Sequence, residues 1–477
     1  MTEPWLADLR NALGERVHTQ AAELAAVARD ASHVIGRPEA LLYPEVTEHV
    51  AAAVRIAQQY GVPIVARGGG TCLTGGTVPT RGGLVIAFNR MQAILDLDLD
   101  ERTALVQPGH PNAALDKVAR RNGLRYAPDP SSRAASVIGG NIATNAGGLH
   151  CLGHGVTADH VLGLEVVFGD GTIAWLEDTD LADLRALVLG SEGTLAIVTC
   201  ALVRLLPVPE RLGVVVAGFE RLEQAGACAE RLVLEAPGLV ACEFIDDAML
   251  RALDHMAPGV LPVNVEAALL IEVEALNEAI DRAIAVVVGC VEEAGGSARE
   301  ARSDEEIEIA WNARRSAYGA LGRMHSDSYT HDFGTPRDKL VTSLRAAADI
   351  AERHGLVLSS VAHLGDGNLH PRLHYDAREA GSFDRALAAS EELLAMVLAN
   401  GGTLTGEHGI GLEKADFMPF IFSPADLALM QRLKDAFNPR GLCNPGKVFP
   451  TRKSCVETGP VAYRPHAIET QGLAQRF

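Results

Sequence analysis

The chain has 477 residues, with 61 Asp and Glu against 42 Lys and Arg, and a formal charge of −19. A field of that sign and size disfavours nucleic acid and anionic lipid as main partners, while a local basic pocket for a small anion stays open. The eight cysteines form no C-x-x-C pair, which argues against zinc ribbons, thioredoxin-type redox motifs and ferredoxin-like clusters, and fits a reducing compartment.

The length suggests two or three domains. The first residues carry acids and lack an apolar h-region, and no apolar run is long enough to span a bilayer. The expected location is the cytoplasm, or the membrane periphery through a partner. Residues 1–35 read as a helical segment. The spacing at 47–60 predicts a helix with Thr47 as N-cap and Gly61 as its stop. Strands are expected at 62–66, 82–88 and 103–107, and a helix at 111–122. The stretch 161–175 reads as two strands joined at Gly169-Asp170-Gly171.

The prolines near 207–213 suggest a boundary. Beyond it strands are expected at 213–219, 239–244 and 267–273, with helices to about 235, at 276–294, at 303–321 and at 425–436. Segregated strands and long amphipathic helices indicate an α+β chain. The tail from about 455 is poorly patterned and is expected to be loosely ordered.

Within the first third, RGGGTCLTGG at 67–76 has the composition of a loop that bares backbone N–H groups to an anion and lets a bulky ligand approach the main chain. It is not the Rossmann fingerprint, because after Gly68 and Gly70 the third position is Leu73. It is not a P-loop either, because the required lysine is Gly76. A second stretch, PDPSSRAASVIGGNIATNAGG at 128–148, alternates short polar side chains with glycines over a broad surface. That suits a flat aromatic ligand and its pyrophosphate. GSEGTLAIV at 190–198 again puts small residues before a strand.

In this order R-G-G-G-T at 67–71, P-D-P-S-S at 128–132, I-G-G-N-I-A-T-N-A-G-G at 138–148 and G-S-E-G-T-L at 190–195 resemble the FAD-binding domain of the vanillyl-alcohol oxidase / p-cresol methylhydroxylase superfamily. The resemblance implies FAD contacts from Arg67, Gly68, Gly69, Gly70, Thr71, Gly75 and Gly76 in the first loop. It implies further contacts from Pro130, Ser131, Ser132, Gly139, Gly140, Asn141, Thr144, Asn145, Gly147 and Gly148. Glu192, Ile197 and Asn444 complete the set. Many covalent members place a histidine in or beside the first loop. Thr71 and Cys72 stand there, so non-covalent FAD is expected.

Residues 363–370 read HLGDGNLH. With Gly365-Asp366-Gly367-Asn368 at a hairpin tip, His363 would face His370 directly, close enough to share a divalent ion or an anion. In GGTLTGEHGIG at 401–411, Glu407 and His408 are adjacent, so in an extended segment they point to opposite sides. Two histidines and a carboxylate would leave open coordination positions, as catalytic zinc or another borderline divalent ion requires. On spacing alone, hydrogen-bonded structural histidines are the commoner outcome.

H-x-G-D-G-N-x-H, G-E-H-G-I-G and N-P-G-K-x-x-P at 444–450 occur in the order seen in the FAD-linked 2-hydroxy-acid dehydrogenases. The detailed fit, over 362–450 and 145–171, is to the branch of the bacterial glycolate oxidase flavin subunit. The resemblance implies that His363, His370 and Glu407 ligate the metal, His408 is the catalytic base and Arg314 clamps the substrate carboxylate. Read by itself, Arg314 is better explained as a helix-surface ion pair with the acids at 304–308. Arg372 stands where 2-hydroxyglutarate-using members usually have a small polar residue, and Leu149 replaces a proline often seen before His150.

The implied architecture is an FAD-binding domain at 36–208 and a substrate or cap domain with the metal site at 209–420. A C-terminal helical segment at 421–455 returns to the FAD domain, followed by a tail at 456–477. The implied activity is oxidation of glycolate or D-lactate by metal-assisted hydride transfer to flavin, with an iron–sulfur partner subunit or a quinone taking the electrons. The alternatives are a D-2-hydroxyglutarate dehydrogenase and a non-catalytic, flavin-carrying assembly subunit.

Overall fold

The structure, a computed structural model, describes residues 3–178, 183–322 and 325–450. The expected loosely ordered tail lies outside these residues. The first half holds two sheets. Strands β1 (Val17–His18), β2 (Ala40–Leu42), β3 (Ile64–Arg67) and β4 (Leu84–Ala87) form a sheet in the order β1-β2-β4-β3, with β2, β4 and β3 parallel. Parallel strands need both faces covered, and all of β4 is buried. The helix Thr47–Tyr60 covers one face through Val50, Ala53, Val54 and Ala57. It stops at Gly61, whose φ of 71° places it in the left-handed region. Its N-cap is Val46, not Thr47; the Thr47 hydroxyl instead donates to Glu165.

The next strands are β5 (Ile94–Asp98), β6 (Thr103–Val106), β7 (Leu124–Arg125), β8 (Val161–Phe168), β9 (Ile173–Glu177), β10 (Ala196–Arg204) and β11 (Leu206–Pro207). They form an antiparallel sheet ordered β5-β6-β10-β8-β9 and a short β7–β11 ribbon. The β8–β9 hairpin turns at Gly169–Gly171, as its sequence predicts.

The second half is built on one antiparallel sheet. Its strands are β12 (Arg211–Phe219), β13 (Leu239–Asp246), β14 (Ala267–Ala275), β15 (Ser297–Ala301), β16 (Asp327–Thr330), β17 (Phe333–Gly334), β18 (Val357–His363) and β19 (Asn368–Tyr375). The order is β15-β12-β14-β13-β18-β19-β16, with β17 on β19. Period-2 alternation separates its two faces. Cys242, Phe244, Leu269, Ile271, Ala362 and Leu369 pack under the helices Leu222–Glu235, Ile280–Glu293 and Leu340–Arg353. The other face carries Glu243, Glu272, His363 and His370, all buried.

After the helix Pro424–Phe437 the chain returns to the first half. Ile64 donates to Leu442 O at 2.8 Å and Asn444 N donates to Ile64 O at 2.7 Å, which extends the edge of β3.

Candidate active site

A cavity of about 620 Å³ lies between the two halves. Its first wall is backbone and small side chains: Arg67 to Leu73, Pro130 to Ser132, Gly139 to Asn141, Thr144, Glu192 and Ile197. Glycine is required here by contact. A Cβ at Gly69 would lie 2.2 Å from Ala135 O, and one at Gly139 would lie 2.6 Å from Pro108 Cβ. Gly70, at φ +70°, lies under the Arg67 guanidinium. A long cavity walled by bare main chain fits a flat, elongated cofactor of the FAD type.

Five residues expected at this ligand do not line the cavity. Gly75 packs against Val34 and Leu412, and Gly148 against Asp129. Asn145 caps a helix at φ 49° and accepts from Ala158 N at 2.8 Å. Gly147 abuts Glu407 and Cys151. Asn444 donates to Gly76 O and Glu192 O, tying the C-terminal segment to the first loop.

The opposite wall contains Arg314, Arg315, Val361, His363, His370, Glu407 and His408. The hairpin register differs from the expectation. His363 pairs with Asn368, and His370 pairs with Val361, because Leu364 to Gly367 form the connection. The two histidines are therefore diagonal neighbours. The shift is even, so both stay on one face. Their ring centroids are 5.0 Å apart and nearly perpendicular.

Glu407 Oε1 lies 3.3 Å from His363 Nε2 and 3.2 Å from His370 Nε2. Three donor atoms thus converge within 4.8 Å of one another, a set of the kind that holds a divalent cation. Outer contacts orient them. Glu243 takes His363 Nδ1 at 2.6 Å, which turns Nε2 toward the cluster. Burial opposes charge on His363, but Glu243 and Glu407 outweigh it and hold the imidazole well above its usual range. Burial likewise pushes Glu407 up, and the two histidines overcome it and hold the carboxyl well below the usual range.

Glu407 and His408 do not point to opposite sides. The segment is a tight turn wrapped on the fully buried Asp332, whose carboxylate accepts from the backbone N–H of Gly406, Glu407 and His408 at 2.9 to 3.2 Å. Thr405 Oγ1 and Lys414 Nζ donate to it as well. Burial raises the Asp332 carboxyl, but its charged surroundings, Lys414 first among them, outweigh that and hold it well below the usual carboxylate range. Asp332 also approaches His370 and His408, but its oxygens are committed to this turn. The far side of the turn is held by Glu192, which accepts from Ile410 N at 2.7 Å and Gly411 N at 2.9 Å.

His408 stacks on His370 at 5.0 Å, and its Nε2 faces Glu407 Oε1 at 3.8 Å. Burial pulls its imidazole down to about 4, so it is neutral at physiological pH. Arg314 is not a surface ion pair. It is 3% exposed, and its guanidinium pairs with Glu243 Oε2 at 2.6 Å, while its Nε has no partner among the described residues. Arg315 follows it on the same wall, over the Trp311 ring.

Glu243, Glu272 and Asp332 are functional neighbours without a motif. Glu272 accepts from Trp311 Nε1 at 2.6 Å and approaches His150 Nε2 at 3.3 Å, with Asp129 on His150 Nδ1 at 2.8 Å. This chain of contacts links the FAD side to the helix that carries Arg314. The available signal was a carboxylate inside an apolar strand, as in VACEFID and ALLIEVEA, because such a group must be paired when buried.

Comparison with known proteins bears on the family and the fold. Residues 38–177 match the model of an FAD binding domain, and residues 208–448 match the C-terminal domain of FAD linked oxidases. The chain is 38% identical over 418 residues to the glycolate oxidase subunit GlcD of Bacillus subtilis, covering 86% of this chain and 89% of that one. It is 32% identical to a D-2-hydroxyglutarate dehydrogenase of Stutzerimonas stutzeri, covering 94% of this chain and 100% of that one. A solved structure of p-cresol methylhydroxylase with substrate bound superposes at a TM-score of 0.80 and 16% identity, over 93% of this chain and 96% of that one.

Proposed function

The chain belongs to the FAD-linked oxidase family, and from that premise we propose that it oxidises a small 2-hydroxy acid to the 2-oxo acid. FAD is held non-covalently along the glycine wall. A divalent cation, zinc or a similar borderline ion, is held by His363, His370 and Glu407. Glycolate and D-lactate are the shortest substrates of this class. The observation that carries the reading is the meeting, in one cavity, of a main-chain wall, a three-donor cluster and a neutral imidazole.

When bound, FAD supplies the two-electron acceptor and the cation supplies Lewis acidity toward the alcohol. The remaining work falls to the protein. Arg314 binds the substrate carboxylate through the donors that Glu243 leaves over, and Arg315 adds positive charge on the same wall. His408 takes the hydroxyl proton at Nε2, which its neutral state permits. Asp332 and Glu192 fix the turn that presents it. The buried walls keep water from the reacting carbon.

The electrons then pass to a second redox partner. The relative's description as a subunit supports a partner chain, and we infer an iron–sulfur partner or a quinone. No helix of the described residues is long and apolar enough to cross a membrane. The proposed location is the cytoplasm, or the membrane periphery through that partner.

The test is anaerobic mixing of the flavin-loaded protein with glycolate, D-lactate and 2-hydroxyglutarate. At least one should bleach the visible flavin band. Chelation should stop the bleaching while the oxidised spectrum persists, and added Zn²⁺ or Mn²⁺ should restore it. Bleaching by none of the acids rejects the activity. Bleaching that survives metal removal rejects the role of the three-donor cluster.

A further inference from the structure

Glu243 stands behind the cavity wall, between two residues with different tasks. On β13 it lies directly opposite His363 of β18, where paired Cβ atoms are about 4.5–5.5 Å apart. Its Oε1 meets His363 Nδ1 at 2.6 Å, and its Oε2 meets the Arg314 guanidinium at 2.6 Å. His363 and Arg314 line the main cavity, and Glu243 does not. It is 1% exposed.

Both contacts need an acceptor. An ionised carboxylate only accepts, and it has one oxygen for each partner. When His363 donates from Nδ1 to Oε1, its Nε2 is left bare for a cation. That nitrogen faces Glu407 Oε1 at 3.3 Å. Arg314 lies in the last turn of the helix Asp304–Arg315. Among the described residues Glu243 is the one carboxylate in ion-pair contact with it. A buried guanidinium is costly without such a partner, so this contact fixes where its other donors point. Arg314 Nε is one of them, and it has no partner among the described residues.

We propose that Glu243 is a positioning residue shared by the cation site and the carboxylate clamp. One side chain sets both the His363 tautomer and the Arg314 orientation, so cation affinity and recognition of the substrate carboxylate rise and fall together. The proposal rests on the function given above and deepens it. An amide in this place has one acceptor where two are needed. With its oxygen on His363, its NH₂ meets Arg314 donor to donor. With its NH₂ on His363, the ring must accept at Nδ1 and carry its proton on Nε2, which closes that nitrogen to a cation.

The experiment compares the FAD-loaded wild type with Glu243→Gln and Glu243→Asp, each first stripped of metal. Zn²⁺ affinity is read by competition with a chromophoric chelator, and KM for the acid that reduces the wild type fastest is read at saturating Zn²⁺. In Glu243→Gln the Kd for Zn²⁺ should rise roughly ten- to a hundredfold, and KM about tenfold, with FAD content unchanged. Glu243→Asp keeps the charge but is shorter by one bond of about 1.5 Å and cannot span both partners, so at least one constant should rise about tenfold. Native values of both constants in Glu243→Asp would show a carboxylate that only balances charge, and overturn the proposal. A Glu243→Gln protein in which neither constant moves, or only one, overturns the shared role. Failure of the wild type to bind Zn²⁺ overturns the three-donor cluster itself, and reduction by none of the acids overturns the activity; the zinc constants are read without turnover and stay decisive. If neither variant folds, judged by circular dichroism and FAD content, a crystal structure of the zinc-loaded wild type decides. Glu243 must then contact His363 Nδ1 and Arg314 at once, and loss of either contact overturns the proposal.

Discussion

The two walls of the main cavity are built in opposite ways. Around residues 67–76 and 128–148 the surface is main chain, and the glycines are there because a Cβ would strike a neighbour or fill the cradle. Across the gap, the eight-stranded sheet presents ionisable side chains, each held by another: Glu243 on His363 and Arg314, Asp332 on the Glu407–His408 turn. The first wall recognises shape, and it fails when atoms are added. The second wall holds interlocked charges, and its contacts fail when charges are removed.

That contrast can be broken from the chemical side first. His408→Ala should lower turnover by about 10²- to 10⁴-fold, with KM and FAD content little changed. Unchanged turnover in steady-state kinetics would remove His408 from the role of base. Asp332→Asn comes next. It sets an amide against three backbone N–H groups and leaves Lys414 only the backbone carbonyl of residue 332. Stability should fall by about 3–5 kcal/mol, the cost of breaking a buried charged network, measured by urea unfolding. A loss below about 1 kcal/mol would show that the turn does not depend on this carboxylate.

From the shape side, Gly69→Ala should weaken FAD binding about tenfold or more, because its Cβ meets Ala135 O at 2.2 Å. The apoprotein should stay folded, and flavin titration followed by fluorescence gives the answer. Native FAD affinity in this variant would mean the loop shifts freely. The last effect concerns the seam between the walls. Burial opposes a charge on His150, but Asp129 and Glu272 raise its imidazole to about 10. It binds its proton more tightly folded than unfolded. Its contribution is thus complete below the unfolded value near 6.5, and it is lost as pH rises toward 10. Stability should fall by about 1 kcal/mol per pH unit in that window. His150→Asn should flatten the slope. An equal slope in both proteins, by thermal melts at pH 7, 8 and 9, would acquit His150.

The same contrast explains what the sequence disclosed. The glycine wall is local, with contiguous runs of small residues, so its position was legible from 67–76, 128–148 and 190–198. Its finer assignment was not. Gly75, Asn145, Gly147, Gly148 and Asn444 serve turns, caps and packing that depend on partners far along the chain. In the chemical wall, His363, His370, Glu407 and His408 were legible through family motifs. Their geometry was not, because the strand register and the turn on Asp332 arise only when β13, β18 and β19 pair and the cap closes on Glu192. Glu243 and Asp332 are isolated carboxylates with no spacing to announce them. Arg314 was placed in the site only by the resemblance; read by itself it was a surface residue, because helix position alone does not reveal that β13 lies over it.

The turn carrying Glu407 and His408 is moored by Asp332 from the sheet side and by Glu192 from the glycine side. Neither half of the chain owns it. Any hinge opening between the halves must either release one mooring or pull His408 away from the glycine wall, so the cavity keeps its geometry only while the halves are latched. Assembly of the enzyme and its readiness to react are therefore a single event.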